Sequence, residues 1–349
     1  MSVRHLYLHL PFCPSICPYC SFYVERVDRK KMDAFAARLD AELRDAGPTD
    51  ALETVYFGGG TPTAFSTPQL EALLAVVDRK VRRSKDCETT MEANPSTLPA
   101  EKCRMLRGRG INRISLGAQS FDERVLVTLG RHHSTSAVHK AWKNLRGAGF
   151  QNLNLDLMFG VPGQTLDSWE ATLRSALELE PEHLSCYNLT YEEDTPYMER
   201  LQQGVYREDS ERNEIMFALT EDMLADAGWH HYEISNYARP GFECRHNLAY
   251  WTGRDYLGVG PSAVSTVRGK RWKMADGRRV EMESLTLELR SREQALLELR
   301  TSRGADKNVF APEQWRPLIE EGLAVAKKDR VVLTREGRLR ADEIAVYLC

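Results

Sequence analysis

Up to about residue 205 the chain alternates short apolar runs with stretches whose apolar residues recur every three or four positions. Residues 6–10 read as a strand. Met32, Phe35, Ala36, Leu39 and Leu43 then keep helical spacing, and Gly47-Pro48 stops that helix. Residues 54–57 predict a second strand, which runs into Gly58-Gly59-Gly60. Leu70, Leu73, Leu74, Val77 and Val81 mark the next helix. Residues 89–93, 113–116, 153–157 and 183–189 predict four further strands, with helical stretches between them. Strands alternating with helices imply a parallel sheet with crossover helices. Six such units fit a partial (β/α)6 barrel, whose chemistry belongs at the C-terminal ends of the strands.

Beyond residue 205 the pattern changes. A helix is expected over 210–227, followed by an aromatic, turn-rich stretch over 229–260 and a basic linker or hairpin over 269–279. From Ser284 helical patterns return, then Arg330-Val-Val-Leu-Thr and a final helix, a tail with the look of a small winged-helix unit. The α/β chain thus divides into a barrel (1–205), an α+β extension (206–280) and a small winged-helix-like domain (281–349).

Composition narrows the class. The 349 residues are 42% hydrophobic and 28% charged, ordinary for a globular protein with a sizeable core. A net charge of −3 does not indicate a nucleic-acid surface, and the basic pairs Arg79-Lys80 and Arg82-Arg83 read as a solvated helix face. The start, Met1-Ser-Val-Arg-His-Leu, is too polar for a secretory leader, and no run is long enough for a membrane span. A cytoplasmic location follows as the expectation, and with it reduced cysteines, so that clustered ones among the eight read as metal ligands.

Cys13, Cys17 and Cys20 are spaced C-x3-C-x2-C in the loop after the first strand. A cubane takes one thiolate per iron, and no fourth cysteine lies nearby, the next being Cys87. Three thiolates leave one iron open for a chelating small molecule. A structural zinc site would ask for a second C-x2-C pair, which this sequence lacks.

The motif C-x3-C-x-Tyr-C resembles that of the radical S-adenosylmethionine superfamily. Further stretches are similar to its oxygen-independent coproporphyrinogen oxidase group: Tyr7-Leu-His-Leu-Pro-Phe-Cys, Gly58-Gly-Gly-Thr-Pro-Thr63, Glu92-Ala-Asn-Pro-Ser96, Gly117-Ala-Gln-Ser-Phe121, the run from Asp156 to Thr165, and Tyr232-Glu-Ile-Ser-Asn-Tyr237. Within that group they look most like the heme-chaperone (HemW) branch. The resemblance implies a [4Fe–4S] cluster on Cys13, Cys17 and Cys20, with S-adenosylmethionine on its open iron. It implies that the turn at Gly59, Gly60 and Thr61 meets the methionine half of the cofactor, that Glu92 meets its ribose, and that Gln119, Arg131 and Asp156 add contacts, with Tyr7 and Tyr19 flanking the cluster loop.

Two features set the chain apart from the oxidases of the group. Those carry a fourth cysteine in a Cys-x-Cys ending, where this chain has Phe22, and a longer region before the cluster motif. His246-Asn247-Leu-Ala-Tyr250-Trp251 matches the H-N-x-x-Y-W motif of the chaperone branch, which implies heme as a bound group and His246 as its axial ligand. Cys244 stands where the branch usually has serine, as a small buried residue or a second heme contact, and Val264 stands where relatives often carry a histidine. His132 and His133 are the next candidates for a heme ligand.

Two functions therefore compete. One is a heme chaperone that passes heme to acceptor hemoproteins, with the cluster and S-adenosylmethionine as cofactors and no catalytic residue assigned. The resemblance allows it peripheral membrane association through those acceptors, and a homodimer. The other is a radical enzyme of the coproporphyrinogen oxidase type, or a related methyltransferase.

Overall fold

The structure, a computed structural model, describes residues 3–48 and 50–349; Met1 and Ser2, the head of the segment read as too polar for a leader, lie outside them, as does Thr49. Six parallel strands form its centre: β1 (His5–Leu10), β2 (Ala51–Gly59), β3 (Arg82–Ala93), β4 (Arg113–Gln119), β5 (Leu153–Phe159) and β6 (His183–Asn188). All six expected strands are present, in chain order across the sheet.

Side chains alternate between the faces of a strand, and β1 shows what this does here. Leu6, Leu8 and Leu10 are buried in the apolar core shared with the helices, among Phe35, Leu39 and Leu74. His5, Tyr7 and His9 take the other face. The register sets His5 beside Thr54 and Tyr7 beside Tyr56, Thr54 beside Glu88, Tyr56 beside Thr90, and Glu92 beside Ser115. On β4, β5 and β6, Ser115 lies beside Asn154, and Asn154 beside His183. The inner face is thus polar across six strands, while the outer face is apolar and covered by helices.

Those helices form where local chemistry permits. Asp28 caps Arg29–Ala46 by accepting the Lys31 N–H, and Gly47, at φ 54°, ends it with Met32, Phe35, Leu39 and Leu43 buried. Ser66 and Gln69 form a capping box before Thr67–Lys80, which buries Leu70, Leu73, Leu74 and Val77. One expectation fails here. Arg82 and Arg83 belong to no helix face: the helix stops at Lys80, and β3 begins at Arg82, pairing with Ala51 and Leu52. A ladder of backbone hydrogen bonds is indifferent to the polarity of its outer side chains, so the apolar run underestimates the strand.

The segment after 205 builds on both edges of this sheet. Helix Ser210–Asp226 leads to β7 (His230–Glu233) and β8 (Asn236–Ala238), and β8 pairs antiparallel with β6. A short helix, Arg245–Trp251, then leads to β9 (Leu257–Val259), which pairs parallel with β1 at the opposite edge. The resulting order is β9-β1-β2-β3-β4-β5-β6-β8-β7, an open barrel with both flanks of the parallel strands covered. The expected hairpin lies within an antiparallel meander of Val264–Val267, Lys270–Ala275 and Arg278–Ser284. The C-terminal segment packs helices Leu287–Leu299, Pro312–Glu320 and Ala341–Leu348 on a three-stranded sheet. It has its own apolar cluster, including Phe310, Trp315 and Ile344. Among the described residues no helix is long and apolar enough to cross a membrane.

Candidate functional site

The cysteine loop leaves β1 at the mouth of the barrel. A parallel bridge of Phe12–Cys13 with Glu25–Arg26 closes it, and the Cys20 N–H donates to the Cys17 carbonyl at 3.1 Å. The Thr61 hydroxyl donates to Cys13 Sγ at 3.7 Å, and Arg131 Nη1 donates to Cys17 Sγ at 3.4 Å. Burial pushes the Cys13 thiol up to about 11 and also raises Cys20. Thiols held this way ionise readily only against a cation, which suits ligation. Among the described residues no three His, Cys, Asp or Glu side chains gather around one point as a single ion would require. Three cysteines on one short loop suit a cubane, which asks for one thiolate on each of three separate irons.

Beside this loop lies the glycine turn that ends β2. Gly59 has φ 108°, and a Cβ there would stand 2.6–2.8 Å from the His9 ring; a Cβ on Gly60 would stand 2.7 Å from the Pro11 backbone. Only glycine lets the turn come this close to the loop. Glu92 accepts the Gly59 N–H at 3.1 Å and the Tyr56 hydroxyl at 3.0 Å. Burial, and then Asp156, push its carboxyl up to about 7. Across the barrel Gln119 has φ 61°, and its Oε1 is buried without a partner among the described residues. Arg131 donates from Nη2 to the Gly117 carbonyl at 3.2 Å, and its Nε is likewise buried with no partner among the described residues. Orphaned polar atoms of both signs, on residues singled out for S-adenosylmethionine, suit a polar ligand that completes them. Tyr19 packs edge-on against Tyr197 next to the loop.

Asp156 is tied into the floor of the barrel. It accepts from Ser115 Oγ at 3.0 Å and from Asn154 Nδ2 at 2.8 Å. The Asn154 amide is thereby oriented, so its Oδ1 accepts from His183 Nδ1 at 2.7 Å. His183 Nε2 then accepts from the Tyr232 hydroxyl at 2.8 Å, and that oxygen accepts the Cys244 N–H at 3.2 Å. This chain of bonds runs from Asp156 to the residue that opens helix Arg245–Trp251.

That helix brings His246 over the β1–β2 edge. His246 Nδ1 lies 2.8 Å from Thr54 Oγ1, its ring lies 5.0 Å from the Tyr56 ring, and its Nε2 has no hydrogen bond among the described residues. Burial pushes the imidazole down to about 3, which keeps it neutral. The ring lines a cavity of about 880 Å³, also walled by Tyr7, Tyr56, Tyr250, Trp251 and Phe22. That volume lies within the ~300–1,000 Å³ of ligand pockets. The neutral ring, with one nitrogen oriented and the other unbonded above aromatic walls, fits a planar metal complex.

Sequence reasoning missed two residues here. Glu88 accepts the Arg245 and His246 N–H groups, each at 3.0 Å, and the Cys244 thiol at 3.6 Å. It does the capping that Cys244, at the N-cap position, does not. Thr54 is the second. A signal existed for Glu88: it lies four residues before Glu92 on one strand, so both face the same side. Cys244 is fully buried, with its thiol on Glu88 and pushed up by burial to about 12. His133 Nε2 is held 3.0 Å from the Ala118 carbonyl, and His132 is exposed. Cys244, His132 and His133 do not line the cavity, whereas Tyr7, His246 and Val264 do.

Residues 7–176 match the model of the radical SAM superfamily. The heme chaperone HemW of Bacillus subtilis is 33% identical, over 98% of each chain. The chain belongs to the HemW family. The heme chaperone HemW of Escherichia coli is 40% identical over 75% of this chain and 70% of that one. In structure the chain is similar to the coproporphyrinogen III oxidase HemN of Escherichia coli, with a TM-score of 0.86 and 22% identity over 99% of this chain and 90% of the other. That likeness shows a shared fold. Membership of the HemW family brings the glycine turn, the cysteine loop and the cavity beneath His246 into one frame, with Tyr56 touching both sides: its hydroxyl donates to Glu92 and its ring meets His246.

Proposed function

We propose that this chain is a heme chaperone. It holds heme in the cavity beside helix Arg245–Trp251, with His246 as axial ligand, and passes it to acceptor hemoproteins. Cys13, Cys17 and Cys20 hold the [4Fe–4S] cluster. Tyr7, Tyr19, Gly59, Gly60, Thr61, Glu92, Gln119, Arg131 and Asp156 form the S-adenosylmethionine pocket on its open side. The observation that carries the reading is His246, neutral and, among the described residues, unbonded at Nε2 on the wall of a roughly 880 Å³ aromatic cavity. Phe22, at the position of the oxidases' fourth cysteine, is exposed on the same wall and offers no thiolate.

Delivery takes place in the cytoplasm, with membrane contact only through the acceptors and self-association as a homodimer, which light scattering on the reconstituted protein checks. The main test is anaerobic reconstitution followed by heme titration and a coproporphyrinogen turnover assay on one sample. Stoichiometric heme binding without turnover, with an altered Soret band in His246→Ala, supports the reading. Release of carbon dioxide from coproporphyrinogen III, or unchanged heme binding in His246→Ala, overturns it.

A further inference from the structure

A histidine ligates iron through a nitrogen that carries no proton, so the tautomer of His246 decides whether Nε2 is a ligand at all. The hydrogen bonds around Thr54 are coupled to that tautomer. Thr54 Oγ1 lies 2.8 Å from His246 Nδ1 and 3.0 Å from His5 Nδ1. The threonine is 1% exposed, and its hydroxyl has no other side-chain partner among the described residues. A hydroxyl has one proton to donate and lone pairs to accept with.

If it donates to His246 Nδ1, the His246 proton sits on Nε2 and blocks ligation. If it donates to His5 Nδ1, it is free to accept from His246 Nδ1–H, and Nε2 keeps its lone pair. If both rings donate to it, a buried hydroxyl proton is left without an acceptor. The first two arrangements use the hydroxyl fully, and of these only the second leaves a ligand.

Resting on the reading of His246 as the heme ligand, we propose that Thr54 and His5 are its positioning pair, a relay that holds His246 in the Nδ1–H form and presents Nε2 to heme iron. The strands hold this relay rigidly. His5 and Thr54 are register partners on β1 and β2, and Glu88, the register partner of Thr54 on β3, holds the His246 main-chain N–H. His246 is therefore clamped at backbone and ring by two adjacent residues of one inner row. His5 is not interchangeable with an apolar residue, because among the described residues its Nδ1 is the side-chain acceptor placed to take the hydroxyl proton in place of His246.

The test is a ferric-heme titration of the full, cluster-reconstituted chain, read by the Soret band and by Kd, with iron, sulfide and melting temperature measured alongside. Second ligating partners typically change metal affinity about 10- to 100-fold when removed. Thr54→Val and His5→Phe are each expected to weaken heme binding by about that factor and to shift the Soret band, with cluster content unchanged. Thr54→Ser retains the hydroxyl and is expected to restore both. Wild-type heme binding in Thr54→Val, with binding lost in His246→Ala, overturns the relay and leaves the heme reading standing. No effect of His246→Ala overturns the reading and the relay together. Failure of Thr54→Ser to recover what Thr54→Val loses assigns Thr54 a packing role and also overturns the relay.

Discussion

Glu88 is the most exacting place to test how the His246 helix is held. Its carboxylate accepts two main-chain N–H groups of that helix at 3.0 Å and is 6% exposed. Glu88→Gln keeps the volume but only one acceptor oxygen; its amide nitrogen must face an N–H. One charge-assisted bond is lost and one buried donor is left bare, which costs about 2 kcal/mol, within the usual ~1.5–3 for bonds to a charged group. Loss of the negative charge at the helix start adds about 0.3–1 kcal/mol. Glu88→Ala removes both bonds and should cost roughly twice as much as Glu88→Gln. The assays are thermal unfolding of the reconstituted protein and heme titration. The expected result is a melting temperature lower by about 3 °C in Glu88→Gln and lower again in Glu88→Ala, at roughly 1.4 °C per kcal/mol for a chain of 349 residues. The Soret band should broaden as the first turn frays and His246 samples other positions. Melting curves of both variants superimposable on the wild type would refute the capping argument, whatever the heme result.

Cys17→Ala removes one of three thiolates and also the acceptor for Arg131 Nη1, so iron and sulfide after reconstitution should fall to background; near-native content would remove the cluster assignment. Glu92 has its carboxyl raised from 4.5 to about 7, so the folded state prefers it neutral, and the stability lost to its ionisation grows as pH rises from 4.5 through 7. That loss reaches about 3 kcal/mol near pH 8. Glu92→Gln should therefore melt higher than the wild type at about pH 8 in the ligand-free protein, with the gain shrinking toward about pH 5, while S-adenosylmethionine binds ~5- to 150-fold more weakly; a gain that is flat with pH would show the raised carboxyl to be wrong. Tyr232→Phe leaves His183 Nε2 and the Cys244 N–H without partners in a buried network and should lower unfolding stability by about 2–4 kcal/mol in urea, and an unchanged midpoint would show that water or a shifted neighbour completes both.

Much of this protein is written locally. The alternation in His5–Leu10, the spacing of Met32, Phe35, Leu39 and Leu43, and the glycines that end β2 each report on neighbours a few residues away, and each matches the structure. The cysteine loop is equally local, since three candidate ligands fit within eight residues. What tertiary structure alone decided is which residues share a row. Period-two alternation tells that His5, Thr54 and Glu88 face one way on their own strands, but not that the three strands align them, because register is set by long-range pairing and by the helices packed outside. Thr54 meets His246 across 192 positions of sequence, and Glu88 meets the His246 N–H across 158. No local pattern carries those pairings. They exist because β8 and β9 fasten the later segment to opposite edges of the barrel, which carries the short helix between them to the level of His5, Thr54 and Glu88, away from the cysteine loop. There its uncapped N–H groups find the one buried carboxylate placed to receive them.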